Sequence, residues 1–574
     1  MEEPREQTGP LGTSHLGEAR HSAAPGAAGD SVAIVLHAVT IVYRFLCSHV
    51  STVVGVVLFV ASWATKSHFL STYVGEYDEG IIVNGANALL IGGAPYRDFY
   101  TNYPPGIFLL LAGIWKLFGV SLAAYRLLAV AIHLTLAFAA GRLTGRMAGS
   151  RRRFSWLACG IVSCWTIPLG LIPFAWIAGL ALMVLTVDRI LWAIDNPSRR
   201  RFMIAGVVYG LVSCFRHDLF VHFTWITGAC LLVPARLWLK FDATKPSWKR
   251  VGHLLLGAAI PITLVWGPVV ALAGVPLIVR DIFLDQVRYV MPGRVLPMPP
   301  LFQTAAGARW PPFLLDMFPQ AVVITLAAPL LSLLHCLGRR SERTPIVFFA
   351  PVTVAVIPQM MGRTDSYHAV YTVLPGLILA LAFAERIWCR TRFSFVRAAL
   401  PLLVAAAFTN VIQGQFWPLR DFNRAALRPD PALTIKGRRG FQYDPYGNGE
   451  NQRRVVEFIQ SNTDRKERIF VGIPNHEKLV LNEVSPYFFA NRLAGVRWQQ
   501  FDPNLVTGRP VQEEMIASME RHHVRVVVLS SRFVHIHEWQ PPVLPPSPLF
   551  DTYIREHFTE RERHGPYTIL TRDL

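Results

Sequence analysis

The chain has 574 residues, of which 52% are hydrophobic and only 16% charged, whereas a soluble chain of this length carries about 25% charged residues. Its net charge of +18 comes from short basic clusters between apolar segments, which is the bias of cytoplasmic loops and not a nucleic-acid-binding stripe. The composition therefore predicts a polytopic α-helical membrane protein and argues against nucleic acid as a partner.

The N-terminal region precedes the first apolar segment of membrane-spanning length. Residues 1–30 are polar, rich in Gly, Ala and Pro, and without periodicity, which predicts a disordered cytoplasmic tail. No cleavable signal peptide is expected, because the first apolar stretch lies far from the N-terminus. Residues 31–49 are apolar but interrupted by His37, Arg44 and His49, which favours an interfacial helix leading into the first span.

The apolar segments predict a transmembrane domain over residues 31–412, with about 11 spans. If every basic cluster is cytoplasmic, the N-terminus is cytoplasmic, and the first loop (67–120) and the C-terminal domain (413–574) are external or periplasmic. This is the topology of a multi-pass protein of the cell inner (plasma) membrane. The predicted spans are 50–66, 121–145, 154–168, 172–194, 202–215, 219–238, 251–273, 320–337, 345–361, 368–385 and 398–412.

The first external loop begins with a dense acidic cluster. The stretch "EYDEGIIVNGANALLIGG" has the apolar spacing of an amphipathic helix lying flat on the membrane, with Asp78 and Glu79 in its first turn. Pro104 and Pro105 then precede "GIFLLLAGIWKLFG", which is apolar but too short for a full span. It is predicted to be a re-entrant or interfacial helix that ends at Gly119.

The C-terminal domain, residues 413–574, alternates helical and strand patterns. Three amphipathic segments each precede a short β-branched run, which predicts an α/β layered domain with a largely parallel sheet. No glycine-rich phosphate loop follows a strand, so a lid or an acceptor-docking platform is the expected role. The pairs are 451–463 with 468–473, 511–523 with 524–531, and 548–558 with 565–572.

The charged residues at the outer ends of the spans suit a sugar transfer from a lipid phosphate. An acceptor hydroxyl that attacks an anomeric carbon needs a base, which a carboxylate supplies. The departing phosphate needs cations in fixed geometry, and a polyprenyl chain needs an apolar groove. Ionisable groups this close to hydrocarbon are functional candidates because burying them is costly.

Three motifs resemble one family of membrane enzymes. They are "YDEG…GGAPYRDFYTNYPPGIFLLLAGIWKLFGVSLAAYR" in the first loop, "CFRHD" (214–218) and "GRTDSYHAVYTVLPG" (362–376). Together they resemble the GT-C glycosyltransferases, in the bacterial branch related to protein O-mannosyltransferases and lipid A aminoarabinose transferases. The resemblance implies a polyprenyl-phosphate sugar donor and a catalytic acid in the first loop. Asp78 matches that acid, and Glu79 completes the Asp-Glu pair.

The chain departs from this family at the donor phosphate. The aminoarabinose transferases carry a basic residue farther along the first loop that contacts the phosphate, whereas "TNYPPG" contains no Lys. Arg97 is the candidate replacement in this loop. The other predicted phosphate-binding residues are Arg216, His217, Arg363 and His368, with Arg288 and Arg294 as further partners.

The remaining site predictions concern the walls of the cavity and a metal. The predicted cavity residues are Asp98, Tyr103, Asp218, Asp365 and Tyr367. Each has a structural alternative: a local ion pair, a snorkelling charge at a span end, or the aromatic belt. For Asp78 and Glu79 the alternative is a helix cap. No resident metal is expected, although Asp78, Glu79, Asp218 and Asp365 could converge on a divalent cation.

The predicted function is an inverting glycosyltransferase, with Asp78 as general base. It would move a hexosyl or pentosyl group from polyprenyl phosphate to a lipid, glycan or protein acceptor outside the membrane. The alternatives are a transporter or flippase of a lipid-linked saccharide and an envelope scaffold protein. A transporter would need mid-span ionisable residues and often internal repeats, and no convincing repeat is found.

Overall fold

The computed structural model describes most of the chain after residue 48. Val50–Leu574 form one compact unit. The predicted tail and most of the segment 31–49 lie outside the described residues. The described residues are 37, 49–71, 73–75, 77–148, 154–232, 248–295, 322–330, 343–362, 366–391, 393–413, 430–478, 481–501, 504–533 and 544–573.

The first part of the chain is helical up to residue 413. The helices before residue 300 are α1 (His49–Ser71), α2 (Asp78–Leu90), α3 (Gly106–Phe118), α4 (Leu122–Ala148), α5 (Ser155–Trp165), α6 (Ala175–Asp195), α7 (Arg199–Phe215), α8 (His217–Leu232), α9 (Trp248–Ala273), α10 (Val275–Val279) and α11 (Met291–Arg294). Two π-helical turns, Arg280–Leu284 and Gln286–Val290, join α10 to α11. The later helices are α12 (322–330), α13 (Arg343–Ala355), α14 (Ile357–Gly362), α15 (Ser366–Thr372), α16 (Leu374–Arg390) and α17 (Ser394–Gln413).

Four of the described helices, α1, α4, α6 and α9, are long and apolar enough to cross a membrane. The chain is therefore a membrane protein, as its composition predicts. Each predicted span coincides with helix in its described part, but α5 has only 11 residues and two spans are each divided between two helices. The number of spans and the orientation of the termini stay predictions.

Helices α7 and α9 cross at glycines that bring their backbones into contact. A Cβ atom on Gly206 would lie 2.0 Å from the carbonyl oxygen of Leu254, and one on Gly210 would lie 2.3 Å from that of Ala258. Gly257 of α9 meets α7 in the same way, 2.2 Å from the oxygen of Met203. Small residues at a four-residue spacing are how membrane helices approach most closely. The crossing fixes the end of α7 at the point where the candidate site begins.

Helix α2 begins at Asp78, as predicted, but it has no broad solvated face. Its residues from Glu79 to Ala88 are buried, because the helix packs against α3 and the C-terminal domain. Gly85 lies so close to Phe108 that a Cβ atom there would be 2.5 Å from the ring. The expected solvated face is absent, because the glycines and asparagines of α2 are packing surfaces. The orientation of α2 relative to the membrane stays a prediction.

The C-terminal domain contains a mixed five-stranded sheet, not a largely parallel one. The strand order is β2-β1-β3-β5-β4, with β1 parallel to β2 and β3, and β5 antiparallel to β3 and β4. The departure comes from β4, whose sequence "TERERH" lies at an exposed edge and shows no apolar alternation. The elements of the C-terminal domain are α18 (Gly449–Asn462), β1 (Arg468–Gly472), α19 (Ser485–Ala490), β2 (Leu493–Ala494), α20 (Arg509–Arg521), β3 (Val526–Ser530), α21 (Leu549–His557), β4 (Thr559–His564) and β5 (Tyr567–Thr571).

The C-terminal domain packs on α2 and α3 through a continuous apolar core. The Trp115 ring of α3 stacks on Phe488 at 5.8 Å and meets Phe441 edge-on at 6.0 Å. Asn84 of α2 donates to the Gln499 side chain at 2.5 Å. The first external loop is therefore enclosed between membrane helices and this domain. The boundaries at residues 31, 412 and 413 stay predictions.

The glycine crossing gives a stability prediction. In Gly206→Ala the new methyl group meets the backbone of α9, so we expect a loss of about 1–3 kcal/mol despite the better helix propensity of Ala. Gly252→Ala, on α9, is the matched control because no heavy atom lies within 4 Å of its added Cβ. Thermal unfolding in detergent should show a lower midpoint for Gly206→Ala alone. Equal midpoints for the two variants would contradict the close crossing.

Candidate active site

Asp78 presents an exposed carboxylate at the start of a buried helix. The first turn of α2 contains Asp78 and Glu79, and the free N–H groups of a first turn favour negative charge. The side chain of Asp78 is exposed, whereas the residues that follow it in the helix are buried. This combination suits a general base, because the carboxylate is accessible while its backbone is fixed in the helix.

Glu79 is held by a buried ion pair with Arg126 of α4. One carboxylate oxygen accepts from Arg126 at 2.5 Å and from the Tyr125 hydroxyl at 3.1 Å, and the other accepts from the Gly75 amide at 2.9 Å. Arg126 is 1% exposed and also donates to the carbonyl oxygen of Leu171 at 2.8 Å. Glu79 therefore fixes the start of α2 and the orientation of its neighbour Asp78.

Arg97 and Asp98 form part of the junction with the C-terminal domain. Asp98 accepts from Arg97 at 2.7 Å, from Arg468 at 2.6 Å and from the Ala94 amide at 2.8 Å. Burial of this carboxyl opposes its ionisation, but the hydrogen bonds from Arg468 and Arg97 outweigh burial and lower the pKa of Asp98. The structure places this pair at a junction between two parts of the chain.

Arg497 extends the same junction to the π-helical segment after α10. Its guanidinium donates to Asp281 at 2.5 Å and to Glu514 at 2.7 Å, and it lies 3.9 Å from the centre of the Trp498 ring. It also donates to the carbonyl oxygen of Tyr96 in the first loop at 3.3 Å. One side chain therefore connects the first loop, the segment 280–290 and the C-terminal domain.

Arg216 lies in the extended break between α7 and α8. Its Nε atom is 2.7 Å from one oxygen of Asp218, and its Nη2 group donates to the other at 2.9 Å. The Gln359 side chain accepts from Nη2 at 3.2 Å. Gly179 of α6 faces the same residue, because a Cβ atom there would be 2.5 Å from the Cβ of Arg216. The cation is thus fixed on two sides at the junction of α7 and α8.

Aromatic rings connect Arg216 with the other predicted site residues. Its guanidinium carbon is 5.9 Å from the centre of the Tyr103 ring and 5.8 Å from that of Trp176. Trp176 lies against Tyr371 at 4.0 Å, and Tyr371 meets the His368 ring at 5.5 Å. Through these rings the structure connects Tyr103 and Arg216, which lie in two connectors, with His368 of α15, and Asp218 joins them through Arg216.

Other predicted site residues lie elsewhere or outside the described residues. The His217 ring meets Phe283 edge-on at 5.1 Å and so faces the π-helical segment. Arg288 is exposed on the same segment. The side chains of Arg294 and Tyr367, and the whole of Arg363 and Asp365, are outside the described part of the chain.

Two of the four carboxylates considered as metal ligands are bound to arginines. Asp218 pairs with Arg216, and Glu79 pairs with Arg126. Over the described ranges, no group of three or more His, Cys, Asp or Glu side chains could hold a metal ion. Because Asp365 is outside those ranges, the question of a divalent cation stays open.

The sequence analysis did not assign several residues of this site. Arg126 had a detectable signal, because an arginine inside the predicted span 121–145 is costly unless it has a partner. The other three, Trp176, Gln359 and Tyr371, had no distinguishing pattern among many apolar and aromatic neighbours. Their assignment depends on the tertiary contacts with Arg216.

A second polar cluster lies deeper between α1, α4 and the end of α5. The buried Lys66 donates to the Thr166 hydroxyl at 2.7 Å, and its Nζ atom is 3.3 Å from Nδ1 of His133. The side chains of Lys66 and His133 are almost fully buried, at 0% and 2% exposure. Lys66 is the last residue of the predicted span 50–66, whereas His133 lies in the middle of the predicted span 121–145. The sequence pattern indicated ionisable groups only at the ends of the spans, and His133 is an exception.

Comparison with protein families and with curated proteins gives no match to the sequence. Among solved structures, ArnT from Cupriavidus metallidurans bound to undecaprenyl phosphate is similar, with a TM-score of 0.51 and 12% identity, over 90% of this chain and 97% of that one. ArnT from the same organism in the apo state has a TM-score of 0.48 and 12% identity, over 95% of this chain and 98% of that one. A third similar structure is the archaeal oligosaccharyltransferase AglB from Archaeoglobus fulgidus in complex with an inhibitory peptide and a dolichol-phosphate. Its TM-score is 0.46 and its identity 13%, over 83% of this chain and 69% of that one.

The similarity to the first ArnT structure concerns the fold. ArnT is a lipid A aminoarabinose transferase of the GT-C superfamily, and the alignment extends over nearly the whole length of both chains. The GT-C fold that the first-loop motifs predict is therefore confirmed.

The Glu79–Arg126 pair gives a second stability prediction. In Arg126→Leu the Glu79 carboxylate stays buried without its guanidinium partner, so we expect a loss of about 3–5 kcal/mol. The double variant Arg126→Leu/Glu79→Leu leaves no buried charge and should recover much of that loss. Denaturant unfolding of the purified protein measures both. Additive losses in the double variant would contradict a direct interaction.

Proposed function

We propose that this chain is an inverting glycosyltransferase of the membrane that moves a sugar from a polyprenyl-phosphate donor to an external acceptor. The observation that carries the proposal is Asp78, an exposed carboxylate whose backbone is fixed by the buried pair behind it. The ArnT fold supports it, and that relative binds undecaprenyl phosphate. The donor would carry a hexosyl or pentosyl group, and the acceptor would be a lipid, a glycan or a protein.

The proposed reaction is a single displacement at the anomeric carbon. The acceptor oxygen forms a bond to that carbon while the bond from carbon to the phosphate oxygen breaks, and its electron pair leaves with the phosphate. The proton of the acceptor hydroxyl passes to the Asp78 carboxylate, which acts as general base. Attack opposite to the leaving group inverts the configuration, so no second carboxylate is required. Glu79 is then a positioning residue, because it is bound to Arg126.

Arg216 is the proposed ligand of the donor phosphate in place of the missing Lys. It lies over the ring of Tyr103. Tyr103 belongs to the "TNYPPG" stretch, where the related enzymes carry their basic residue. Its contacts with Asp218 and Gln359 use Nε and Nη2, and within the described residues Nη1 has no protein acceptor. A guanidinium offers paired donors that fit a phosphate. Arg97 is less suited, because its donors face Asp98.

The proposed topology places the reaction on the external side of an inner (plasma) membrane. The basic clusters of the sequence would be cytoplasmic, together with the N-terminus. Asp78 and Arg216 would then lie at the outer ends of the helices, where a lipid phosphate at the bilayer surface reaches them. The polyprenyl chain would lie along the apolar helices, whose exposed faces carry large hydrophobic side chains.

Replacement of Asp78 tests the base. In Asp78→Asn we expect transfer to fall by a factor of about 10²–10⁴, because the amide cannot accept the proton. Mass spectrometry of envelope lipids and glycans, from a strain lacking the gene and complemented with each variant, measures the product. Asp573→Asn is the matched control, since that side chain is 98% exposed near the C-terminus. Normal transfer by a folded Asp78→Asn protein would remove Asp78 as the base.

Replacement of Arg216 tests the phosphate ligand separately from the chemistry. We expect Arg216→Gln to bind undecaprenyl phosphate at least about tenfold more weakly, since a hydrogen bond to a charged group contributes about 1.5–3 kcal/mol. Native mass spectrometry with undecaprenyl phosphate, and with undecaprenol as the neutral control lipid, measures this difference.

Two further variants make that result specific. Arg216→Gln/Asp218→Asn leaves no unpaired carboxylate and keeps the measurement valid if the single variant is unstable. Arg97→Gln should bind undecaprenyl phosphate as the wild type does. The assignment is wrong if Arg97→Gln loses binding and the Arg216 variants keep it.

A further inference from the structure

A charged cleft opens in the C-terminal domain at the turn that leads into β1. It has a volume of about 500 Å³ and is lined by the turn from Asp464 to Arg468 and by His522, which follows α20. All of its lining residues are polar or charged. The cleft therefore offers hydrogen bonds and charge to a ligand, and its apolar surface comes from the carbon atoms of these same residues and from no apolar side chain.

Positive charge dominates the cleft because most nearby carboxylates are already paired. Glu467 accepts from Arg525 at 2.8 Å, and Asp98 of the first loop accepts from Arg468 at 2.6 Å. Arg465 and Lys466 are exposed, and no carboxylate of the described residues lies within ion-pair distance of either side chain. Asp464, at the start of the turn, is the remaining acidic group.

The imidazole of His522 reports the same electrostatic environment. Burial lowers the pKa of His522, and the positive charges of Arg468 and Arg521 lower it further, against the opposing effect of Asp98. Arg492 lies behind the turn and donates to the Thr463 carbonyl oxygen at 2.7 Å. A ligand that carries negative charge would thus enter a region of positive potential.

The cleft lies at the opposite end of α2 from Asp78. The helix begins at Asp78 and ends at Leu90, and at 1.5 Å per residue it separates its two ends by about 18 Å. Beyond its end, Gly93 faces Leu493 of β2, and Asp98 holds Arg468 at the edge of the cleft. A ligand long enough to reach from the cleft to Asp78 would be an extended molecule, larger than one sugar.

We propose that this cleft binds a phosphate or carboxylate group of the acceptor, and that the acceptor is an anionic glycan. The description of the ligand as acceptor rests on the proposed glycosyltransferase function, whereas anion binding at the cleft does not. Arg465 and Lys466 supply charge-assisted hydrogen bonds to the anion. The absence of apolar side chains from the cleft lining favours the polar chain of a glycan over the acyl chains of a lipid.

Binding of two anionic probes to the purified full-length protein tests the cleft. Inorganic tripolyphosphate represents phosphate groups, and trigalacturonic acid represents the carboxylates of a glycan. We expect Arg465→Ala/Lys466→Ala to weaken binding of at least one probe by about tenfold or more, because two charged donors are lost. Isothermal titration calorimetry at two salt concentrations should also show weaker binding at high salt.

The matched control removes the same charge from the far edge of the sheet. Arg561→Ala/Arg563→Ala changes two exposed arginines of β4, at the opposite edge from β2, and should bind both probes as the wild type does. The probe that binds more tightly shows whether the cleft favours a phosphate or a carboxylate. If neither probe binds, or if the cleft variant binds both like the control, the proposal is overturned.

The activity readout separates this proposal from the proposed function. Once a transfer assay is in hand, the cleft variant should raise KM for the acceptor with little change in kcat, unlike Asp78→Asn. If Asp78→Asn shows normal transfer, anion binding that depends on Arg465 and Lys466 would still support the cleft as an anion site. Loss of transfer in Asp78→Asn, combined with normal probe binding by the cleft variant, would overturn the cleft proposal and leave the proposed function standing.

Discussion

The buried ion pair between Glu79 and Arg126 is the contact on which the position of the first loop depends. A carboxylate in an apolar interior is tolerated only if a cation and further hydrogen bonds surround it, and Glu79 has Arg126, Tyr125 and the Gly75 amide. The pair fixes where α2 begins on α4. Because the C-terminal domain packs on α2, the same contact also sets the position of that domain relative to the membrane helices.

Two arginines of the same chemistry, Arg97 and Arg216, have different roles because their surroundings differ. Arg97 is half exposed and pairs with a carboxylate that a second arginine, Arg468, already holds. Arg216 is enclosed by aromatic rings, and its ion pair with Asp218 keeps it in place. Charge alone made both of them candidates for the phosphate, and only the tertiary contacts distinguish a structural cation from one near the proposed donor.

Much of the helical framework could be predicted from the sequence, because apolar length and basic loops act locally. The start of α2 at Asp78 and the end of α3 at Gly119 follow from the acidic first turn and from a glycine at φ +82°. The burial of α2 could not be predicted, since its covering surface comes from residues about 400 positions later in the chain. The edge strand β4 was missed for a related reason: its charged sequence satisfies no burial pattern. The grouping of Tyr103, Arg216 and His368 depends on two connectors and helix α15, which meet only in the folded chain.

The glycine crossing of α7 and α9 has a consequence for how such a site can diversify. Arg216 follows directly after α7, which is in backbone contact with α9, and Gly179 of α6 leaves no space beside it. A backbone contact has no side chain that can shorten or lengthen, so this wall cannot be adjusted in small steps by substitution. The C-terminal domain meets the first loop through long polar side chains, such as Arg468 and Arg497. Adaptation to a new sugar or acceptor is therefore expected to accumulate in that domain, while the helical wall stays constant.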